Sequence, residues 1–287
     1  MQEIVFFAAV HHVIVMENTR QSIECWVQFL SANEIPVLRQ TVRSIAVARE
    51  NIDKLNGREI SAIVLNDPLM TLQELAYIRP FHGSRVLHEI TTVGHATMML
   101  GIEPFFKHFE NLPVIEEALK PYPQALLRLL QVIRRAQRAS HYACNWALWR
   151  YDMNAEEVVI AALLHDIAEI LLLCFSPQQA LQIYALQQGD HSLRSAVAQE
   201  RVLGFHLLDL QLALCRHWQL PELLLNLMDD THAEQARVKN VKLAADLARH
   251  SANGWDDAAL PDDYLAIETL LNISHDELLA RLQDAPK

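Results

Sequence analysis

The chain has 287 residues, 51% of them hydrophobic, and 24 basic against 35 acidic residues give a formal net charge of −11. That content is ample for a buried core and excludes a disordered tail, while the negative field opposes contact with nucleic acid or anionic lipid. Seven glycines and eleven prolines supply few turns for a many-stranded sheet, and neither GxGxxG nor GxxxxGKS/T occurs.

The opening segment, MQEIVFFAAVHHVIVMENTR, is apolar enough for a strand or a helix. Glu3 and the His11-His12 pair interrupt the apolar core that a secretory signal needs. Cys25, Cys144, Cys174 and Cys215 show no CxxC spacing and read as buried thiols of a reducing compartment. A cytoplasmic location is expected. From about residue 20 apolar positions recur three and four apart, so the chain reads as all-α. Pro36, Asn56-Gly57, Asp67-Pro68, Arg79-Pro80, Gly83, Gly101 and Pro113 cut the first part into short helices. Pro121-Tyr122-Pro123 closes that region, and one long helix is predicted over 124–150. Thr71 with Glu74 and Ser274 with Glu277 have capping-box spacing, and Asn154 reads as a simple cap. The stretch 158–175 is the most apolar. His165, Asp166 and Glu169 within it predict a buried helix rather than a membrane span.

Fourteen histidines are many for a chain without a His-rich tract. His165-Asp166 lies among Ile160 to Leu172, where nearly every face is apolar, and a carboxylate there must be paired or bind a metal. Imidazole plus carboxylate suits zinc, iron, manganese or nickel. The second such pair, His275-Asp276, sits in the first turn of a polar helix, where the helix dipole favours Asp. His141, on the preceding helix, and Asp246, flanked by apolar residues, are further candidates. Taken singly, each reads equally as a hydrogen-bonded polar residue of the core. Arg134, Arg135 and Arg138 read as a basic helix face, either solvated or placed to meet phosphate.

The order His141, His165-Asp166, Asp246 resembles the H…HD…D signature of the HD superfamily of metal-dependent phosphohydrolases. The surrounding text is similar to its HDOD branch, the HD-related output domain of bacterial signalling proteins. The resemblance runs from Leu30 to about Asp246 through Glu34-Ile35-Pro36, Asn66-Asp67-Pro68-Leu69, Ser140-His141-Tyr142-Ala143, Ala161 to Ile167, Glu200 to His206 and Trp218 to Pro221. It implies a multi-helix HD-type bundle with an amino-terminal helical subdomain: an extension over 1–29, an amino-terminal helical part over 30–122, an HD-like part over 123–250 and carboxy-terminal helices over 251–287.

The resemblance also implies a divalent transition metal (iron, manganese, zinc or nickel) on His141, His165, Asp166 and Asp246, with His206 and His232 as further ligands or supporting groups. Glu169, one turn after His165, reads as an additional metal ligand, a supporting acceptor or the partner of a basic side chain. Three departures bear on phosphate chemistry. The family's His-Asp-Ile-Gly-Lys becomes His165-Asp166-Ile167-Ala168-Glu169, which replaces a cation with an anion. Phe205 replaces the Asp of an Asp-His element, and Thr231 stands where one histidine of a pair is expected. Two functions follow. One is a regulatory protein acting on signalling partners or a ligand; the other is a metal-dependent phosphohydrolase of a nucleotide or cyclic dinucleotide. No contact with nucleic acid or membrane is expected.

Overall fold

The computed structural model describes residues 22–78, 90–190 and 193–283. The reading of residues 1–21 as strand or helix, the breaks at Arg79-Pro80 and Gly83, and His11, His12, His82, His88 and His191 lie outside the described residues. Within them the chain is helical, and the sole β feature is an isolated parallel bridge between Val37 and Val114. Its two hydrogen bonds, Val37 N to Pro113 O and Ile115 N to Val37 O, are both 2.9 Å.

Helix α1 (Ile23–Ser31) is capped by Ser22 and buries Trp26, Val27 and Leu30. Then come α2 (Arg39–Glu50), α3 (Gly57–Val64), α4 (Pro68–Ile78), α5 (Val93–Leu100), α6 (Ile102–His108) and the single turn α7 (Ile115–Ala118). A full capping box starts α3, with Asn56 accepting from the Glu59 amide while Glu59 accepts from the Asn56 amide. Asp67 caps α4 by accepting from the Leu69 and Met70 amides. Its other oxygen accepts from the Leu38 amide and the Thr41 hydroxyl, so one buried carboxylate fastens the starts of α2 and α4 together.

The expected capping role of Thr71 and Glu74 is therefore a misreading. Thr71 lies inside α4 and donates to Val64 O, and Glu74 accepts from Thr97 on α5 at 2.7 Å. Asn154 likewise makes no side-chain cap, whereas Ser274 accepts from the Glu277 amide as expected.

The predicted long helix is α8 (Pro123–Trp149), 27 residues and about 40 Å long. Proline occupies its first turn, where its missing amide hydrogen costs nothing. Ala125, Ala136, Ala139, Ala143 and Ala147 are buried on it, and these small side chains let α9 (Ala155–Leu164) and α15 (Ala236–His250) approach closely. Arg237 of α15 fixes the turn between α8 and α9, donating to Asp152, Glu157 and the Asn154 carbonyl. Past α9 come α10 (Ile167–Phe175), α11 (Pro177–Gly189), α12 (Ser195–Leu203), α13 (Leu207–His217), α14 (Glu222–Met228) and, after α15, α16 (Leu260–Leu271) and α17 (His275–Gln283). Helix α1 packs on α13, and its Trp26 meets Phe205 edge-on at 6.4 Å. The stretch Ala155–Phe175 has the length and hydropathy of a membrane span. Here it is mostly buried inside the bundle and broken at His165-Asp166.

Glu74 is fully buried, and its Oε2 has no hydrogen-bond partner. Burial pushes its carboxyl up to about 7, against the Thr97 hydrogen bond and with help from the charge of Glu156. The native state thus holds this proton more tightly than the unfolded chain, so its contribution to stability is full below about pH 4.5 and is lost as pH rises through about 7. Denaturation of a Glu74→Gln variant should show a gain in stability near pH 8 and little change near pH 5.

Candidate functional site

His165 ends α9 and Asp166 begins α10, so the HD pair forms a corner between two apolar helices. Asp166 has the N-cap position, but its side chain makes no capping bond. It turns instead to α8. Arg135 reaches Asp166 Oδ2 through Nε at 2.8 Å and Nη2 at 2.6 Å, and the same Nη2 donates to Glu169 Oε2 at 2.7 Å. Arg128, two turns earlier on α8, donates to Glu169 Oε1 at 3.0 Å and lies over the Tyr184 ring at 4.6 Å.

Arg249 of α15 stands 3.8 Å from Asp166 Oδ1 and 3.2 Å from Asp246 Oδ1, and Lys242 takes the other oxygen of Asp246. His165 donates through Nε2 to Asp230 Oδ1 at 3.2 Å, while its Nδ1 faces Asp166 Oδ1 at 3.7 Å, beyond hydrogen-bond reach.

Arg135 is only 7% exposed, so the reading of Arg134, Arg135 and Arg138 as one solvated face fails at Arg135. Burial would lower the basicity of its guanidinium, but Asp166 and Glu169 more than offset this and raise it. Burial would also raise the Asp166 carboxyl, yet Arg135, with His165 and Arg249, holds it well below the ordinary carboxylate range. For Glu169, burial is opposed by Arg135 and Arg128, and its carboxyl is lowered. Burial of His165 would depress its imidazole, but Asp166 and Asp230 raise it to about 9. Each anion at this corner has a cation beside it, as buried charge requires.

The expected metal-binding set does not assemble. His141 lies six residues beyond Arg135, about 120° around α8. It lines a separate cleft with Leu38, Gln40, Thr41 and Arg138, and it pairs with Asn145. Asp246 is engaged by Lys242 and Arg249. His206, at the start of α13, is half exposed between Glu200 and Asp209, and His232 is half exposed near Asp229 and Glu234. Among the described residues no group of three or more His, Cys, Asp or Glu side chains is placed to hold an ion. The donor chemistry agrees: Asp166 Oδ2 and both oxygens of Glu169 accept from guanidinium groups, and His165 Nε2 is engaged by Asp230. A metal does not fit these residues.

Sequence reasoning missed four members of the cluster, Arg128, Arg135, Asp230 and Arg249. Arg135 has a traceable signal, because Arg128 and Arg135 are seven apart on one helix face and the buried acids are three apart on another. Asp230 sits in a short 3₁₀ turn (Asp230–His232) and has no periodic signal.

Beside the corner is a cavity of about 360 Å³, enclosed by α8, α10, α11, α12 and α13, with Arg128, His165, Glu169 and Gln211 in its polar wall and Leu172 and Ile183 in its apolar one. His206 lines its edge; His232 does not.

Residues 35–234 match the HDOD domain family model. Comparison with curated proteins finds no match. Among solved structures, a virulence factor from Campylobacter jejuni subsp. jejuni is similar at a TM-score of 0.65 and 20% identity, covering 91% of this chain and 97% of its own. The MmoQ response regulator from Methylococcus capsulatus str. Bath is similar at a TM-score of 0.65 and 16% identity, with 88% and 98% covered. At these identities the two show a shared fold.

Because its folded pKa is raised to about 9 from 6.5, His165 should be an imidazolium at pH 7.5, with both ring nitrogens protonated. Its contribution to stability is full below about pH 6.5 and is lost as pH rises through about 9. Nitrogen-15 spectra of the histidine side chains at pH 7.5 should assign both His165 nitrogens to the protonated class. A neutral ring with one unprotonated nitrogen would contradict the described pairing.

Proposed function

The chain belongs to the HDOD domain family, and on that premise we propose that it is a signal-transduction protein working by binding, its HD corner serving as a structural ion cluster. One observation carries this reading: the Arg135 guanidinium contacts both Asp166 and Glu169, filling with a fixed positive charge the place a catalytic ion would need. Glu169 takes part because it stands where the family pattern has a lysine.

Two further features support a binding role. Met98 and Met99 on α5 are exposed, and methionine is suited to adaptable protein contacts. The related fold of the MmoQ protein belongs to a response regulator. The net charge of −11 favours protein or small-molecule partners over nucleic acid or an anionic membrane. All four cysteines are free, which agrees with a reducing cytoplasm, but the reading of them as buried thiols fails at Cys25, which is exposed; Cys144 and Cys174 are half-buried and Cys215 is buried.

The competing reading is a metal-dependent phosphohydrolase of a nucleotide or cyclic dinucleotide. Elemental analysis of untagged protein, with bis(p-nitrophenyl) phosphate turnover measured in added manganese or iron, separates the two. The binding reading expects far less than one metal per chain and no turnover sensitive to Asp166→Asn. Near-stoichiometric metal lost in Asp166→Asn, together with turnover lost in the same variant, would establish the hydrolase instead.

A further inference from the structure

A second cleft, of about 700 Å³, lies between α2 and α8, and no residue of the HD ion cluster lines it. Gln40 and Ser44, one turn apart on α2, and Arg134 and Arg138, one turn apart on α8, contribute to its polar wall. Although the chain has 35 acidic and 24 basic residues, no Asp or Glu lines this cleft among the described residues. The carboxylate of Asp67 packs behind Thr41, but it is fully buried and accepts from the Leu38, Leu69 and Met70 amides and the Thr41 hydroxyl. A cleft walled by one sign of charge focuses the field and draws in the opposite ion.

Both guanidinium groups have donors to spare. Arg138 is held from one edge by neutral groups, its Nη2 donating to Ser251 Oγ at 2.8 Å and to the Tyr142 hydroxyl at 3.2 Å. Its Nε and Nη1 have no protein partner among the described residues and are open to solvent, unlike the enclosed Nε of Arg128. Arg134 is exposed and makes no ion pair or hydrogen bond among the described residues, and the Ser44 hydroxyl likewise has no partner there. The planar fork of arginine matches the oxygens of phosphate and carboxylate. Charge separates these two: a phosphate monoester carries close to two negative charges at neutral pH and answers both arginines, whereas a monocarboxylate answers one. The volume exceeds what a bare phosphate ion fills and suits a small-molecule site. We propose that this cleft binds a phosphate monoester of a small metabolite, its phosphate on Arg134 and Arg138 and its polar remainder toward Gln40 and Ser44. The proposal goes beyond the preceding reading and does not depend on the metal content of the HD corner.

Calorimetric titration of the full chain at pH 7.5 and low salt with AMP and glucose 6-phosphate tests it, with adenosine, glucose, glucuronate and inorganic phosphate as controls. Saturable binding of at least one ester is expected, tighter than that of glucuronate or inorganic phosphate, and without binding of adenosine or glucose. Arg134→Gln alters an exposed side chain, so the thermal midpoint of the free protein should hold while ester binding weakens about tenfold. Arg138→Gln should weaken it by a similar factor. Arg216→Gln, at an exposed site on α13 outside the cleft, should leave binding unchanged. Because His141 also lines the cleft, the titration is repeated after EDTA treatment, and binding should persist. No ester binding at millimolar concentration, binding unaltered by Arg134→Gln and Arg138→Gln, an equal loss in Arg216→Gln, loss on chelation, or preference for glucuronate or inorganic phosphate would overturn the proposal. Stoichiometric metal in the untreated sample, with ester binding that survives EDTA, would count against the preceding reading alone.

Discussion

Asp166 and Glu169 stand one helical turn apart at the start of α10, partly buried against an apolar bundle, and their charges are met from another element. Arg135 meets both: its guanidinium lies within 2.6 Å of Asp166 and 2.7 Å of Glu169. Two opposed quantities decide the outcome. Desolvation of each ion in such a place costs several kcal/mol, and only close, hydrogen-bonded opposite charge offsets it. The cluster therefore behaves as a unit in which no member is dispensable, and it sets the register of α8 against α10. Arg128 and Arg249 extend it along α8 and over to α15.

That arrangement also determines what the corner can do. A divalent ion needs free carboxylate oxygens; here Asp166 Oδ2 and both oxygens of Glu169 are occupied by guanidinium, and the His165 ring stands between Asp166 and Asp230. Alongside the cluster lies the cavity, with polar side chains on one part of its wall and aliphatic side chains on another.

Much of the fold was legible because helix periodicity and helix stops are local. The predicted helix 124–150 matches α8 (Pro123–Trp149), and the apolar run around His165 is core. The dilemma posed by Asp166, paired or metal-bound, was visible in its apolar neighbours; its partner was harder to find, since Arg135 is distant in sequence and only its seven-residue spacing from Arg128 marks it. His141 shows the converse difficulty. Its place in the sequence pattern matches the family, but six residues of helix turn it away from the face that carries Arg135. Thr71 and Glu74 had the spacing of a cap, yet Asp67 had already supplied one and both were drawn into tertiary contacts. Spacing along the chain fixes faces of helices, and burial of charge is decided by which faces meet.

The most direct measurement of the Arg135 claim is a double-mutant cycle on Arg135→Leu and Asp166→Asn, read by denaturant unfolding at neutral pH. Each single substitution strands a buried partner and should cost about 3–5 kcal/mol, while the double variant should lose well under the sum, because the two side chains answer each other. Additive losses within about 0.5 kcal/mol would show that Asp166 does not depend on Arg135, and the account of this corner as an ion cluster would be wrong.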